Sequence, residues 1–268
     1  MKVARRAAVV RRIVAALSNW PVVLARFWAA RAGVAAGIPV KVRARNGLVV
    51  TVPAATASMW PVLEVLALDC YHIATIPEEP KVIVDIGAHV GSTSLALHRA
   101  FTAASVVCYE PSPPTVRLLR ANLSANGVAA SVHDVAVGGV AGWAQLASET
   151  VVSGGNSLSG PGGITVEVVS FDDVMAAVET GPVLVKMDCE GSETDIIERS
   201  APASFAAVET VLVEHHPAEG YRPVAVGLAR LGFTELWHDP DPVHQGLGVA
   251  CWVKQQNADG TSVIPVSG

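Results

Sequence analysis

Two apolar segments in the second half of the chain end in side chains that can take up a proton. The segment "VLVKMDCEG" holds Asp188 and Glu190 near its end, and "VLVEHH" closes with two histidines, of which His215 is the first. A carboxylate or an imidazole in such a position can act as a general base toward a hydroxyl group. We therefore predict His215, Glu190 and Asp188 as catalytic residues. A strand-end histidine that only satisfies its neighbours would show the same pattern.

The neighbouring polar residues are open to more than one interpretation. His215 and His216 point to opposite faces of a strand, so only one of them can face a cleft, and we choose His215. Glu193 begins a helix and could simply complement the helix dipole. Lys186 lies inside an apolar strand, where we expect it to pair with a carboxylate because a lone buried ammonium group is costly.

A glycine-rich turn lies earlier in the chain, in "VIVDIGAHVGSTSLAL". An apolar strand ends there in Asp85, and Gly87 and Gly91 separate it from a stretch with helical spacing. A strand, a glycine turn and a helix at the start of a parallel sheet commonly bind a nucleotide-like ligand. The dinucleotide pattern G-x-G-x-x-G is missing, and an acid beside the turn suits a cationic amine better than a pyrophosphate. The alternative is that Asp85 only caps the helix.

Two further acids suit other parts of such a ligand. Glu110 ends the second strand, in "CYEPS", where a carboxylate can accept hydrogen bonds from both hydroxyls of a ribose. Asp134, in "HDVAVGG", lies in the third predicted strand, "VAASVHDVAV", and could accept a hydrogen bond from an adenine amino group. A cationic amino acid, a ribose and an adenine together predict S-adenosylmethionine as the cofactor. The predicted cofactor-binding residues are Asp85, Gly87, His89, Gly91, Glu110, Asp134 and Asp188.

The elements that must position these residues follow an alternating order. From Lys81 onward, near-continuous apolar strands alternate with helical patterns, which predicts an α/β fold with a doubly wound, Rossmann-like, mostly parallel sheet. The segments "FTELWH" and "LGVACWVK" predict an antiparallel strand pair at its C-terminal end. Before residue 81 we expect a cap of one or two helices over about 4–32, broken near Pro21, and a hairpin around Asn46-Gly47. The predicted units are a cap at 1–80, a catalytic domain at 81–256 and a loose tail at 257–268.

Charge is distributed very unevenly along the chain. The formal net charge is −5, yet no acid precedes Glu64, and the first 63 residues hold ten of the nineteen lysines and arginines. Such a basic segment could meet a membrane surface or nucleic acid, but we prefer docking on the chain's own acidic body or on a second subunit. We accordingly expect no nucleic-acid partner, no stable membrane insertion and a homodimer through the N-terminal helices. The four cysteines, without metal-type spacing, predict buried free thiols in a cytoplasmic protein.

The same stretches resemble one known family. "VDIGAHVGSTSL", "CYEPSP", "HDVAVGG" and, above all, the Lys-x-Asp-x-Glu-Gly-x-Glu block in "VLVKMDCEGSETDII" are similar to motifs of the FkbM-type methyltransferases, a branch of the class I S-adenosylmethionine-dependent enzymes. The resemblance runs from about Lys81 to Lys254 and implies a methyltransferase with a class I fold. One departure is His89, because class I enzymes usually carry glycine there and FkbM-type proteins often carry asparagine.

We therefore predict an S-adenosylmethionine-dependent O-methyltransferase acting on a hydroxyl of a small molecule. The resemblance implies a sugar or a natural-product intermediate in bacterial secondary metabolism. One alternative is N-methylation of a small molecule, where the amine needs less help from a base. Another is a Rossmann-like binding module without catalysis. A nicotinamide-dependent oxidoreductase is disfavoured by the missing dinucleotide pattern.

Two secondary expectations concern a metal and a lid. No spacing in the sequence requires a metal, and we predict none, although Asp188, Glu190, Glu214 and His215 offer ligands that Mg²⁺ accepts. The glycine- and serine-rich loop "SGGNSLSGPGG" lies between two short predicted strands and could gate access of the substrate.

Overall fold

The computed structural model describes residues 2–34, 38–146, 163–216, 220–241 and 246–254. The strands in this part of the chain are β1 (Val40–Arg43), β2 (Val49–Val52), β3 (Val82–Ile86), β4 (Ser105–Tyr109), β5 (Ala130–His133), β6 (Ala136–Gly138), β7 (Gly142–Leu146), β8 (Ile164–Ser170), β9 (Val183–Met187), β10 (Val208–His215), β11 (Phe233–Pro240) and β12 (Gly248–Lys254). The α-helices are α1 (Lys2–Ala16), α2 (Trp20–Arg31), α3 (Thr56–Leu66), α4 (Ser92–Ala100), α5 (Pro113–Ala125), α6 (Phe171–Ala176), α7 (Glu193–Arg199) and α8 (Tyr221–Arg230). Short 3₁₀ helices span Ile73–Thr75 and Pro202–Phe205.

The centre of the fold is a seven-stranded sheet in the order β11-β12-β10-β9-β3-β4-β5. Strands β10, β9, β3, β4 and β5 are parallel to their neighbours in this row, whereas β12 pairs antiparallel with both β10 and β11. Every residue of β3 and of β9 is buried, as near-continuous apolar strands require when helices cover both faces. The predicted doubly wound sheet with an antiparallel C-terminal pair is thus confirmed.

Side chains alternate along each strand into two hydrophobic clusters, one on each face of this sheet. Ile83 of β3 points to one cluster, together with Leu95 of α4 and Leu119 of α5. Val84 points to the other cluster, which Ile196 of α7 completes with residues of α6 and α8. The two layers hold the strands in place, so that the strand ends present their loops along one edge.

The N-terminal cap packs on the first of these faces. Its buried residues, such as Leu17 and Val50, belong to the same cluster as the strand residue Ile83. The two predicted helices are present, and Pro21 lies in the first turn of α2, where a missing N–H is tolerated. The predicted hairpin is also present, since β1 pairs antiparallel with β2 around Asn46-Gly47. The cap shares its core with the sheet, and the boundary at residue 80 stays a prediction about domains.

Asn122 of α5 and Asn126, directly after its end, attach the hairpin to the body. The Asn122 amide accepts from the Thr51 N–H at 2.8 Å and donates to the Thr51 carbonyl at 2.9 Å. Asn126 makes the same pair of bonds with Val49, at 2.9 and 2.7 Å. These amides replace a neighbouring strand and satisfy the open edge of β2.

A small second sheet has the order β6-β8-β7. We expected one continuous strand through "VAASVHDVAV", but the chain leaves the main sheet after His133 and β6 joins this second sheet instead. The predicted short strands on either side of the glycine-rich loop are β7 and β8. Residues 153–162 of that predicted lid and the predicted tail at 257–268 lie outside the described residues.

The cysteines form no disulfide in the described structure. Cys108 and Cys251 are buried, as predicted, whereas Cys70 and Cys189 are only half-buried. None of the helices in the described ranges combines the length and the apolar character needed to cross a bilayer.

Candidate active site

A cleft opens where the parallel strands end. Its walls come from the loops after β3, β4, β9 and β10, from the start of the small sheet, and from α3 of the cap. It encloses about 800 Å³, part of which is open to solvent. Open α/β sheets bind their ligands at this edge, as the sequence predicted.

The glycine turn after β3 forms one wall. Gly87, His89 and Gly91 all have positive φ, at +74°, +49° and +89°. We expected the glycines to let a ligand approach the backbone, but a Cβ on Gly87 would lie 1.8 Å from the Asp188 carbonyl oxygen. Gly87 is therefore required because the loop after β9 packs directly on it. Gly91 precedes α4, and a Cβ on it would likewise lie 2.8 Å from the Leu119 side chain of α5.

His89 faces the cleft from this turn. Neither of its ring nitrogens has a hydrogen-bond partner among the described residues, although both are buried. Burial lowers the pKa of His89 to about 4, so the ring is neutral near physiological pH. A buried imidazole with one N–H to donate and one nitrogen to accept indicates a ligand at this position.

Glu110 lies at the end of β4, on the same wall. One carboxylate oxygen accepts from the backbone N–H of His89 at 3.0 Å, and the other accepts from the backbone N–H of Ser112 at 2.9 Å. Each oxygen retains a further lone pair that can accept a hydroxyl from the cleft. Burial raises the pKa of Glu110 to about 7. The structure therefore places Glu110 where a ribose-binding carboxylate was expected.

Asp85 lies elsewhere than predicted. It is completely buried, accepts from the Ser94 hydroxyl at 2.5 Å and lies 3.1 Å from the Lys186 ammonium group. Its position inside β3 points it into the sheet layer and away from the cleft. The predicted contact of Asp85 with a cofactor amine is not supported, and the expected carboxylate partner of Lys186 is found.

Lys186 contacts both the turn after β3 and the loop after β9. Besides Asp85, its ammonium group donates to the Gly87 carbonyl at 2.7 Å and lies 3.4 Å from Asp188. Burial disfavours the charged form, but the two carboxylates outweigh it and hold the pKa of Lys186 above its ordinary value. The lysine thus positions the turn after β3 and the loop after β9 relative to each other.

Asp134 follows β5 and is exposed. Its neighbours Val135 and Ala136 line the cleft, together with Tyr109 and Leu146. These apolar side chains form a surface on which a flat aromatic ring can lie. The role of Asp134 toward an adenine amino group stays a prediction.

Acids of the loop after β9 surround His216. Its Nε2 lies 3.3 Å from Glu190 and 3.8 Å from Asp188, and its Nδ1 lies 3.5 Å from Glu193. Burial disfavours the charged imidazole, yet these carboxylates raise its pKa to about 10. His216 is therefore an imidazolium near neutral pH, which holds the loop and cannot accept a proton.

The pKa values of the two glutamates beside His216 are shifted in opposite directions. Glu193 accepts from the N–H groups of Cys189 and Gly191 at 2.6 and 2.9 Å. Although burial opposes it, the charge and hydrogen bonding of His216 lower the pKa of Glu193. Glu190 has a left-handed backbone with φ +56°, and burial together with the charge of Asp188 raises its pKa to about 7. Glu190 and Asp188 line the cleft, as predicted.

His215, our choice for the general base, points the other way. Its Nδ1 is 2.7 Å from the Gly246 carbonyl, and its Nε2 is 2.9 Å from Nε2 of His238. The side chain is buried against Tyr221 on the α8 side of the sheet. Along β10 the direction alternates, so Glu214 faces the cleft while His215 cannot. The catalytic role predicted for His215 is therefore not supported.

Two acids of the cleft, Glu64 and Glu214, were not among the predicted catalytic or cofactor-binding residues. Glu214 was considered in the sequence only as a possible metal ligand beside His215, and strand alternation would have selected it once the cleft face was known. Glu64 of α3 comes from the cap and had no such signal. Burial, with the charge of Asp241 and Asp188 added, raises the pKa of Glu64 to about 7, and burial beside Asp188 raises that of Glu214 as well.

A family model described as "Methyltransferase FkbM domain" matches residues 85–237. The chain belongs to the FkbM methyltransferase family. It is 27% identical over 240 residues to "31-O-demethyl-FK506 methyltransferase FkbM" of Streptomyces tacrolimicus, which covers 76% of this chain and 92% of that protein. It is 25% identical over 196 residues to "Methyltransferase sdnD" of Sordaria araneosa, covering 60% of this chain and 75% of that protein.

Among solved structures, this FkbM-type methyltransferase is similar to TYW2 of P. horikoshii in complex with MeSAdo. That match has a TM-score of 0.46 at 14% identity and covers 84% of this chain and 78% of that one. A ribosomal protein L11 methylase of Lactobacillus delbrueckii matches with a TM-score of 0.42 at 12% identity, covering 69% and 75%. The family membership identifies the chain as an S-adenosylmethionine-dependent methyltransferase and confirms the resemblance seen in its motifs.

The cleft of this FkbM-type methyltransferase has a shape and polar groups that fit S-adenosylmethionine on its β3–β4 side. The unpartnered ring of His89, the free acceptor capacity of Glu110 and the apolar surface beside Val135 match a ligand with polar groups and an aromatic ring.

A cation would find a different set of ligands from the one considered in the sequence. Asp188, Glu193 and His216 bring their ligand atoms within 4.8 Å of one another. Both oxygens of Glu193 already accept backbone N–H groups, and the protonated imidazole of His216 supplies the positive charge. The geometry of these three residues is therefore explained without an ion, and Mg²⁺ receives no support from it.

Proposed function

We propose that this methyltransferase transfers the methyl group of S-adenosylmethionine to a hydroxyl of a small molecule. The observation that carries the proposal is the set of carboxylates on the acceptor side of the cleft, from Glu64, Asp188, Glu190 and Glu214. A hydroxyl must lose its proton when it attacks, and carboxylates with raised pKa values can receive it. The name of the Streptomyces relative, a 31-O-demethyl-FK506 methyltransferase, supports O-methylation of a natural product.

The proposed cofactor side uses the turn after β3. Glu110 would accept the ribose hydroxyls, His89 would meet the amino-acid part, and the surface at Val135 and Ala136 would hold the adenine. When bound, S-adenosylmethionine supplies a methyl group on a positively charged sulfur. Enclosing the reacting groups between the two loops excludes water and orients the acceptor.

Glu190 is the proposed acceptor of the proton. It lines the cleft, and its pKa of about 7 suits a base at neutral pH. His216 holds Glu190 and Asp188 in place at 3.3 and 3.8 Å. Asp188, whose carboxylate lies 3.4 Å from the Lys186 ammonium group, would orient the acceptor.

The same carboxylates favour oxygen over nitrogen as the acceptor atom. Nearby negative charge raises the pKa of an amine and keeps it as an ammonium ion, which has no lone pair to attack with. The carboxylates also repel a phosphate backbone, which favours a small molecule over nucleic acid. A sugar or a natural-product intermediate of bacterial secondary metabolism remains the proposed class of acceptor.

Calorimetric titration with S-adenosylmethionine tests the cofactor side. We expect micromolar binding to the wild type and at least a tenfold loss in Glu110→Gln, which keeps the shape but weakens the acceptor. The matched control is Glu198→Gln, an exposed carboxylate on α7. Equal binding in Glu110→Gln and the wild type would contradict the ribose role.

Transfer of radiolabelled methyl groups to paired alcohols and amines of the same carbon skeleton tests the acceptor side. Label in the alcohols alone supports the proposal. Label in the amines alone would replace O-methylation by N-methylation.

A further inference from the structure

Helix α2 is apolar apart from Arg26 and Arg31. Its inner face packs on the cap through Val23, which is completely buried, and through Phe27. A surface helix of a globular protein normally turns a polar face outward, and a helix without one is normally covered. The outer face of α2 presents the exposed apolar residues Pro21, Val22, Ala25 and Trp28 together with Arg31, and the exposed Ala32 follows the helix end.

The exposure on this outer face is large. Val22 and Trp28 are each 55% exposed. The apolar surface continues past the helix end, where Val34 is 79% and Ile38 is 58% exposed. No described residue covers these side chains. Neighbouring exposed apolar residues, unlike single ones, mark an interaction surface.

The charge around this surface limits what can cover it. The first 63 residues contain ten cationic side chains and no acid. A symmetric dimer through the N-terminal helices, as the sequence suggested, would bring this surface against its own copy and oppose like charges. The exposed cations of this segment include Arg6, Arg11, Arg12, Arg31, Lys41, Arg43 and Arg45.

We propose that the outer face of α2 docks on an anionic lipid surface. An exposed apolar surface with a tryptophan, on a segment that carries arginines and lysines and no acid, suits a helix that lies in the plane of an anionic bilayer interface. Each cation near an anionic headgroup adds attraction that falls with salt, and Trp28 would lie among the headgroups. The helix lies on the membrane and does not cross it.

The docking helix is next to the cleft. The Phe27 ring of α2 lies 6.1 Å from the Trp60 ring of α3. Pro61, the residue after Trp60, and Glu64, one turn further along α3, line the cleft. A membrane bound at α2 would therefore lie one helix layer from the acceptor side, which is useful for an enzyme whose acceptor partitions into lipid. The docking itself does not depend on the acceptor.

Vesicle co-sedimentation of the full-length protein tests the proposal. We expect binding to vesicles of phosphatidylglycerol mixed with phosphatidylcholine, no binding to pure phosphatidylcholine, and weaker binding at high salt. Replacing Trp28 and Val22 together by serine should weaken binding at least about tenfold, because both lose apolar contact with lipid. The matched control is Trp143→Ser, since Trp143 is 73% exposed on the small sheet. Circular dichroism and the Tm of each variant show that the fold is kept, and Trp28→Ser alone serves if the double variant unfolds.

Three results would overturn the proposal. The first is no binding to anionic vesicles at low salt. The second is equal binding of wild type and the Trp28 variants. The third is a dimer, seen by analytical ultracentrifugation, that dissociates in the Trp28 variants and excludes vesicles, because it would give the surface to a second copy of the chain.

Discussion

The turn after β3 and the loop after β9 pack side by side at the cleft and are held in different ways. Both contain residues with positive φ, at Gly87 and His89 in the turn and at Glu190 and Gly191 in the loop. The turn is fixed mainly by its backbone, since the Gly87 and Ala88 N–H groups both donate to the Tyr109 carbonyl at 3.0 Å, and Lys186 and Glu110 each add one contact. The loop is fixed by charge, around the imidazolium of His216.

Because of this difference, the structure of the loop after β9 depends on pH more strongly than that of the turn after β3. Backbone contacts do not titrate, so the turn after β3 depends on pH mainly through Glu110, whose pKa burial raises to about 7. The acceptor side depends on a cation among three acids, and its geometry and proton-accepting capacity change together as these groups titrate. Lys186 bonds to both loops, and its loss should affect both.

The largest effect is expected from Lys186→Met. The substitution leaves Asp85 buried without its cation and should lower the free energy of unfolding by about 3–5 kcal/mol. Urea unfolding measures it, and the exposed Lys81→Met should change stability by less than about 0.5 kcal/mol. If the loss is below about 1 kcal/mol, Lys186 does not join the two loops.

Gly87→Ala tests the backbone contact between the turn after β3 and the loop after β9. A Cβ there would meet the Asp188 carbonyl at 1.8 Å, so we expect a loss of about 2–4 kcal/mol in unfolding free energy. Gly127→Ala is the control, because Gly127 also has positive φ, at +70°, but nothing lies within 4 Å of its Cβ position. The control should lose only about 1–2 kcal/mol, the cost of the left-handed backbone. Equal losses would mean that the contact between the loops is easily relaxed.

Glu190→Gln tests the chemistry of the charged loop. In the wild type, kcat/KM should rise with pH through about 7, because a base works only when deprotonated. The variant should be about 100-fold slower and should lose this rise. The pH–rate profile of the methyl transfer measures both, with Glu198→Gln as a control expected to follow the wild type. A rise near pH 7 that persists in Glu190→Gln would assign the base to another carboxylate.

His216→Gln tests the charge that holds the same loop, with the smallest expected effect. The folded pKa of about 10 lies above the ordinary 6.5, so the stabilisation is complete below pH about 6.5 and disappears as pH rises to about 10. We expect the variant to be about 2 kcal/mol less stable near neutral pH and to converge with the wild type toward pH 10. Urea unfolding at several pH values measures this. The Gly127→Ala variant, which changes no charge, should keep a constant difference from the wild type, and a constant difference for His216→Gln would contradict an imidazolium.

Local sequence pattern located Glu110 and the turn at Gly87 at the cleft, because each follows directly from the end of one apolar strand, and local pattern shows where a strand ends. Their roles toward a cofactor stay predictions. The pairing of Lys186 with a carboxylate was also foreseen, since burial of an ammonium group demands it. The partner, Asp85, was misassigned to a ligand because sequence alone does not say which side of β3 faces the cleft.

The acceptor side depends on contacts between distant segments. His215 and His216 are adjacent and chemically identical, and only the direction of β10 in the sheet decides that the first faces α8 and the second meets the acids. Glu64 reaches the cleft because α3 packs beside it, which no local pattern announces.

Alternation of apolar strands with helices, by itself, determined the doubly wound sheet and the edge at which its ligands bind, because burial on both faces permits few other arrangements. The Lys186–Glu193 block was enough to indicate the FkbM family. Only the tertiary structure decided which side chains share the cleft and which protons they hold, because both depend on burial and on neighbours far away in the chain.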